Sequence, residues 1–294
     1  MKRIISVLLA ALLLCGCTAA LADSESSSRA VIGADLSNSE IQQVYDIFGI
    51  DRGDVKELTV TNADEREYLE GLVSDSLIGT RAISCIFIES LDEGDGMSVS
   101  VKNISWCTSD MYINAMVTAG ISDANVIFAA PFSVSGTAAL TGIYKAYEDI
   151  TGEKLDATAK LVGTQELTTT AELADEIGSA DSTAIVNELK LILDKTKDMS
   201  DEELRQEIIG IAAKYDVELT DSQLDKLIEL CRAMEKLDTT QLKEKVEQAQ
   251  QYLKDAISDS GRVAEFFHNI GDSISDVIDA IIGFFQRLFG IADE

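Results

Sequence analysis

Between residues 83 and 101 a run of apolar side chains falls on odd positions: Ile83, Cys85, Phe87 and Leu91, then Met97, Val99 and Val101 beyond the turn Asp92-Glu93-Gly94-Asp95-Gly96. A period of two places them on one face of extended chain, so the spacing predicts a β-hairpin with that face buried. Around it the period changes. Val55 to Val60 reads as a strand, and Asn62-Ala63-Asp64-Glu65 caps a helix to about Val73. Thr108 or Ser109 opens a helix through Met111, Ala115, Met116 and Val117 to Gly120, and Asn125 to Ala130 is a continuous apolar strand that Pro131 ends. A further helix runs from Ser133 to Ile150. The order strand, helix, strand, strand, helix, strand predicts an α+β domain of ferredoxin-like βαββαβ topology. Extra helices extend it, one of them opened by the capping box Ser37-Asn38-Ser39-Glu40 after a short strand at Val31 and Ile32.

From Glu153 onward the strand signals stop. Capping boxes recur at Ser200-Asp201-Glu202-Glu203 and Thr220-Asp221-Ser222-Gln223, each followed by Leu and Ile at helical spacing, and the longest helices are expected at Ala184 to Lys197 and Thr240 to Ser258. The expected organisation is a signal segment at 1–22, an α+β domain at 31–152, an all-α bundle at 153–260 and an amphipathic C-terminal helix at 261–294. A single proline in 294 residues lets these helices run without their strongest breaker.

Lys2 and Arg3, an apolar run from Ile4 to Leu14 and small residues after it read as a secretory signal. Two exits fit. Leu14-Cys15-Gly16-Cys17 resembles a lipobox in which Cys17 is lipidated, with cleavage before residue 17, and Ala20-Leu21-Ala22 suits ordinary signal peptidase, with cleavage after residue 22. Either exit implies an extracytoplasmic protein, secreted or lipid-anchored to the outer face of the cell membrane. The full chain carries 24 Lys plus Arg against 52 Asp plus Glu, a charge of −28, and an acidic surplus this large excludes a phosphate-backbone binder. No nucleic acid is expected as partner.

The residues Gly33-Ala34-Asp35-Leu36, Val60-Thr61-Asn62 with Glu65-Arg66-Glu67-Tyr68-Leu69, Ile78-Gly79-Thr80-Arg81-Ala82-Ile83-Ser84, and Ala130-Pro131-Phe132-Ser133-Val134-Ser135-Gly136-Thr137 continuing to Ile143 carry a family resemblance. They resemble the YpuA-like proteins, an exported family of Gram-positive bacteria. The likeness covers about Val31 to Gly152, with a second stretch at Met199 to Lys236. It implies an extracytoplasmic Gram-positive protein and carries over no activity and no catalytic residues.

The strongest candidate for a ligand site is the turn after Pro131. Unpaired backbone N–H groups and hydroxyls at Ser133, Ser135, Gly136 and Thr137 suit a phosphate, carboxylate or sulfate, and Arg81 adds a cation if the sheet brings it near. The competing reading is simple helix capping, since a Walker loop needs a Lys after its Gly and none is present. No catalytic residue is assigned, because His268 is the single imidazole and no nucleophile elbow or S-x-x-K dyad occurs. No metal or cofactor is expected either. No CxxC or Cys/His cluster exists, and Asp92, Glu93 and Asp95 fail the calcium-loop spacing. Cys85 and Cys107 fall out of register across the expected hairpin, so no disulfide is predicted.

The tail carries Val263, Phe266, Phe267, Ile270, Ile274, Val277, Ile278, Ile281, Phe285, Leu288 and Phe289 as an apolar stripe, interrupted by Asp279 and Arg287. It suits packing on the bundle or another subunit, or contact with a membrane surface. The leading functional expectation is a non-enzymatic binding or structural module of the cell envelope whose partner is an envelope protein or a small anionic ligand. The alternatives are an extracytoplasmic hydrolase with its site near residues 131–142 and a membrane-surface regulator acting through the C-terminal helix. Membrane contact would come through the lipid anchor or that helix.

Overall fold

The computed structural model describes residues 27–72 and 74–258. The signal segment with Cys17, the single His268 and the expected amphipathic helix at 261–294 lie outside the described residues.

Two parallel strand pairs are each joined by a crossover helix. β1 (Ser28–Gly33) and β2 (Lys56–Val60) flank α1 (Asn38–Phe48), and β4 (Met97–Ile104) and β5 (Ala124–Val134) flank α4 (Ser109–Ala119). α2 (Asn62–Leu69), the single turn α3 (Asp75–Ile78) and β3 (Cys85–Ser90) lie between the pairs in sequence. β3 runs antiparallel to both β1 and β5, which gives a five-stranded mixed sheet in the order β2-β1-β3-β5-β4.

This order corrects the ferredoxin-like expectation, in which β3 and β4 would pair as a hairpin. β5 is inserted between them, with Cys85 opposite Ala129 and Val99 opposite Val126. The reason is burial on both faces. Ile86 and Ile88, at even positions of β3, are as fully buried as Cys85, and β5 buries every residue from Val126 to Ala130. Strands covered on both sides belong in the middle of a sheet with helices on both faces, so alternation did not define one buried face. β1, which reads as a short outlying strand, buries five of its six residues and sits between β2 and β3.

Pro131 does not end its strand. β5 continues to Val134, because Pro131 lies past the last β3 pairing, at Ala129, and beside a bulge in β4. At that bulge Asn103 takes a positive φ of 59° and its Nδ2 donates to the Ala130 carbonyl at 2.7 Å. No ladder bond is asked of the missing proline N–H there.

α5 (Thr137–Thr151) therefore begins four residues later than its sequence suggests. Its N-cap, Gly136, has φ 97°, and a Cβ there would meet the Ile104 side chain and sit 2.5 Å from the Tyr112 hydroxyl. Only glycine fits that corner.

The remaining helices are α6 (Ala157–Ile177), α7 (Ser179–Leu191), α8 (Leu193–Thr196), α9 (Asp201–Ala213), α10 (Asp221–Met234) and α11 (Thr239–Ser258). The boxes at Ser37/Glu40, Ser200/Glu203 and Thr220/Gln223 form with both reciprocal bonds, and Thr61/Asp64 makes a fourth at the start of α2. One face of the sheet is covered by α1, in a cluster of Ala30, Ile32, Val44, Tyr45, Phe48, Cys85, Ile127 and Ala129. The other face opens a larger core that runs from Val31 through α4, α5 and α6 to Val246 of α11. α6 approaches α4 closely enough that a Cβ on Gly163 would stand 2.6 Å from the Ala115 carbonyl oxygen.

Cys85, Cys107 and Cys231 are buried and unbridged. Cys85 belongs to the α1-side cluster and Cys107 to the larger core, so the sheet separates them.

Candidate functional site

β1, β2, β4 and β5 point the same way and finish at one edge of the sheet, where the antiparallel β3 begins. The carboxyl ends of parallel strands are where open sheets of this kind place ligands, because the connections to the next helices splay apart there. The four segments that carry the family resemblance all arrive at this edge.

Their backbones are knitted together. The Ala34 N–H donates to the Val60 carbonyl at 2.9 Å, and Asp35 clamps the next segment by taking the Ala82 N–H on its Oδ2 at 2.8 Å. The Gly33 N–H rests on the Cys85 sulfur at 3.3 Å, and a Cβ at Gly33 would collide with the Ala82 carbonyl.

The predicted site residues divide into two groups. Ser135, Gly136 and Thr137 come together at the start of α5, where the two hydroxyls and the Gly136 carbonyl are engaged within the protein. Ser135 Oγ donates to the Leu77 carbonyl at 3.0 Å, the Tyr112 hydroxyl donates to the Gly136 carbonyl at 2.7 Å, and Thr137 Oγ1 donates to Glu65 Oε1 at 2.5 Å. Ser133 is exposed on the last turn of β5, beside Phe132, which is 44% exposed. Arg81 bonds to none of the four and donates from Nη2 to the Asp35 carbonyl, just past the end of β1, at 2.7 Å.

Glu65 is the residue that sequence reasoning missed. It is 1% exposed and takes a second bond from Asn62 Nδ2 at 3.3 Å. Burial pushes its carboxyl up to about 7, against the pull of the Thr137 and Asn62 hydrogen bonds and the more distant Arg66 charge. Thus a carboxyl group of the chain's own, from α2, lies against the Thr137 hydroxyl at the start of α5. The signal that could have found it is helical spacing. Glu65 precedes Leu69 by four residues and so shares the inward face of α2.

Around Glu65 a second ring holds the neighbouring loop. Arg66 donates from Nε to Asn62 Oδ1 at 3.2 Å and from Nη2 to the Gly79 carbonyl at 3.0 Å, and its Nη1 pairs with Asp75 at 2.9 Å. The carbonyls of Leu77 and Gly79, two residues apart in the segment leading to Arg81, are thereby fastened to residues that touch Glu65 or surround it.

Arg81 is exceptional in another respect. Arg29, Arg52, Arg66, Arg205 and Arg232 each pair with a carboxylate, and Arg81 is the one arginine among the described residues that does not. Its guanidinium is exposed and fixed through a backbone carbonyl, with no carboxylate in direct contact, although Glu40, held low mainly by its Ser37 hydrogen bonds, also feels the Arg81 charge. Among the described residues no group of three or more His, Cys, Asp or Glu side chains is arranged to hold a metal ion, and no helix is long and apolar enough to cross a membrane. Asp92, Glu93 and Asp95 flank a turn closed by Gly94 and Gly96 N–H bonds to Asp123 Oδ1, both 2.9 Å.

A family model described as a protein of unknown function, DUF1002, matches residues 32–252. The uncharacterized protein YpuA of Bacillus subtilis (strain 168) is 37% identical over 259 residues, which cover 87% of this chain and 88% of that protein. No solved structure matches the chain. With the match running from β1 into α11 and taking in every segment of the knitted edge, the chain belongs to the DUF1002 family, as a relative of YpuA.

Proposed function

We propose that this protein is an exported, non-enzymatic binding module of the cell envelope that recognises an anionic group through Arg81. The observation that carries the reading is the unpaired arginine. In a chain with 52 acidic residues, an exposed guanidinium held by the Asp35 carbonyl, with Glu40 near enough to feel its charge but no carboxylate in salt-bridge contact, keeps its remaining forked donors for a ligand. The ligand class is a carboxylate or phosphate, free or displayed on an envelope partner. Phe132 and Ser133, exposed on the same edge, would widen the contact.

A hydrolase at residues 131–142 is less well supported. It would need Ser135 or Glu65 to meet water, and Ser135 is bonded to Leu77 while Glu65 is buried. Export rests on the Lys2-Arg3 start and the apolar run that follows. The mass of the mature N-terminus would separate a lipidated Cys17 from a free Asp23, and recovery of the uncleaved chain from cytosol would contradict export.

The binding test is thermal unfolding with inorganic phosphate and with citrate as probes. A ligand that binds the native state raises the melting temperature by mass action. The expected result is a rise that Arg81→Ala abolishes and Ser135→Ala only weakens. An undiminished rise in Arg81→Ala would contradict the assignment.

A further inference from the structure

We propose that Glu65 is a proton-operated latch on the segment that carries Arg81, closed when its carboxyl is protonated and loosened when the proton leaves. The inference deepens the binding reading above, because it concerns the regulation of the same surface. Its test needs no ligand, so the two can fail separately.

The geometry supplies the latch. Glu65 on α2 accepts from Thr137 at the start of α5 and from Asn62 at the start of α2. Asn62 and Arg66 also reach the Gly79 carbonyl, at 3.5 and 3.0 Å, while Ser135, two residues before Thr137, holds the Leu77 carbonyl. The 77–82 segment is thus attached to the rest of the edge through side chains that ring one buried carboxyl.

A protonated carboxyl sits in such a place at little cost. A charged one does not, because neither contact is with a cation and burial of an uncompensated charge is expensive. Exposing Glu65 to water relieves that cost, and exposure means moving α2 and the 77–79 carbonyls away from α5.

The other charged groups near Glu65 do not compete for this role. On α2, Arg66 is paired with Asp75 of α3, and Asp64 is held below its ordinary range by Thr61 and Lys145 against its own burial. From α5 comes Lys145, paired with that same Asp64 at 3.1 Å. From α6 comes Lys160, which pairs with Glu148 and lies over the Tyr68 ring of α2. The Tyr112 hydroxyl of α4 is raised well above its ordinary value by burial, and Cys107 beside it is pushed up to about 12. Glu65, at about 7, and Asp110 of α4, pushed up to about 6 by burial, are the carboxyls that change charge in this range, and Glu65→Gln separates the two.

The direction follows from linkage. The closed form holds the proton more tightly than an open form in which Glu65 has its ordinary value of 4.5. Opening is rarest below about pH 4.5, rises as pH climbs from about 4.5 to about 7, and levels off above that. If opening fully restores the ordinary value, the change is roughly 300-fold, about tenfold per pH unit.

Amide hydrogen exchange of the intact protein, corrected for the intrinsic pH dependence of exchange, reads this directly in peptides covering 74–83 and 131–139. The wild type should lose protection there across that window by one to two orders of magnitude or more. Glu65→Gln, neutral at every pH, should hold a flat profile. Should that variant not fold, Thr137→Val serves instead. It removes a bond that favours the charged form, and so should carry the plateau to higher pH. A flat wild-type profile in these peptides, or a pH ramp of equal size in Glu65→Gln, would overturn the latch.

Discussion

Two buried glutamates show how differently the same side chain can be used. Glu65 at the strand edge and Glu166 in the helical layer are each 1% exposed, and each accepts a short hydrogen bond from a threonine, Thr137 and Thr118 respectively. Glu166 has in addition the Lys190 ammonium at 2.6 Å, itself fully buried and bonded to the Asn114 carbonyl at 3.1 Å. Burial raises the Glu166 carboxyl and lowers the Lys190 amine, while the attraction of the pair opposes both shifts. Glu65 has no such counter-ion. One carboxylate is therefore built into a cross-brace between α4, α6 and α7, and the other is exposed to the proton concentration of its surroundings. Burial alone does not say which outcome a glutamate has; the nearest cation does.

The largest effect should come from breaking the brace. Lys190→Met strands Glu166 beside Thr118 alone and should cost about 3–5 kcal/mol in urea unfolding, with much of the loss recovered when Glu166→Leu is added. A cost below about 1 kcal/mol would show that the two glutamates are not distinguished by the lysine.

Glu65→Gln should do the opposite at neutral pH. The wild type forfeits about 3 kcal/mol as its carboxyl ionises at a folded value near 7 instead of 4.5, and the glutamine does not. The sign is fixed by the raised value. The contribution of Glu65 to wild-type stability is fully present below pH 4.5 and lost as pH rises through about 7. The variant should match the wild type near pH 4.5 and exceed it by up to about 3 kcal/mol above pH 7.

The threonines sharpen the contrast on a smaller scale. Thr118→Val and Thr137→Val each remove one bond to a buried carboxylate, at about 1–3 kcal/mol near neutral pH. The loss at Thr137 should shrink on acidification, as Glu65 takes its proton, while the loss at Thr118 should change less over the same range. Smallest of all, Arg81→Ala should leave stability within about 0.5 kcal/mol of wild type, because its side chain is exposed and makes a single bond to a carbonyl.

Local chemistry was legible in the sequence and long-range pairing was not. The capping boxes at Ser37, Ser200 and Thr220 and the helix from Thr239 to Ser258 follow from side chains three or four residues apart. Strand order depends on contacts between distant segments, such as Ala30 with Phe87 or Phe87 with Ile127. There, odd-position alternation in residues 83–101 was outweighed by apolar even positions that demand cover on the second face. Pro131 misled for a related reason, since its missing N–H matters only if a neighbouring strand is present to receive it. At the candidate site the hydroxyls of Ser135 and Thr137 were visible but their partners were not. Glu65 reads in sequence as one more acid in an acidic helix, and only the fold places α5 over it.

The account turns on the proton affinity of Glu65, and a carbon-13 NMR titration of its carboxyl group, assigned by comparison with Glu65→Gln, measures that directly. A midpoint near pH 7 is the predicted result. A midpoint near the ordinary 4.5 would mean that the carboxyl is stabilised as a charge where it lies, and would contradict both the latch and the contrast with Glu166.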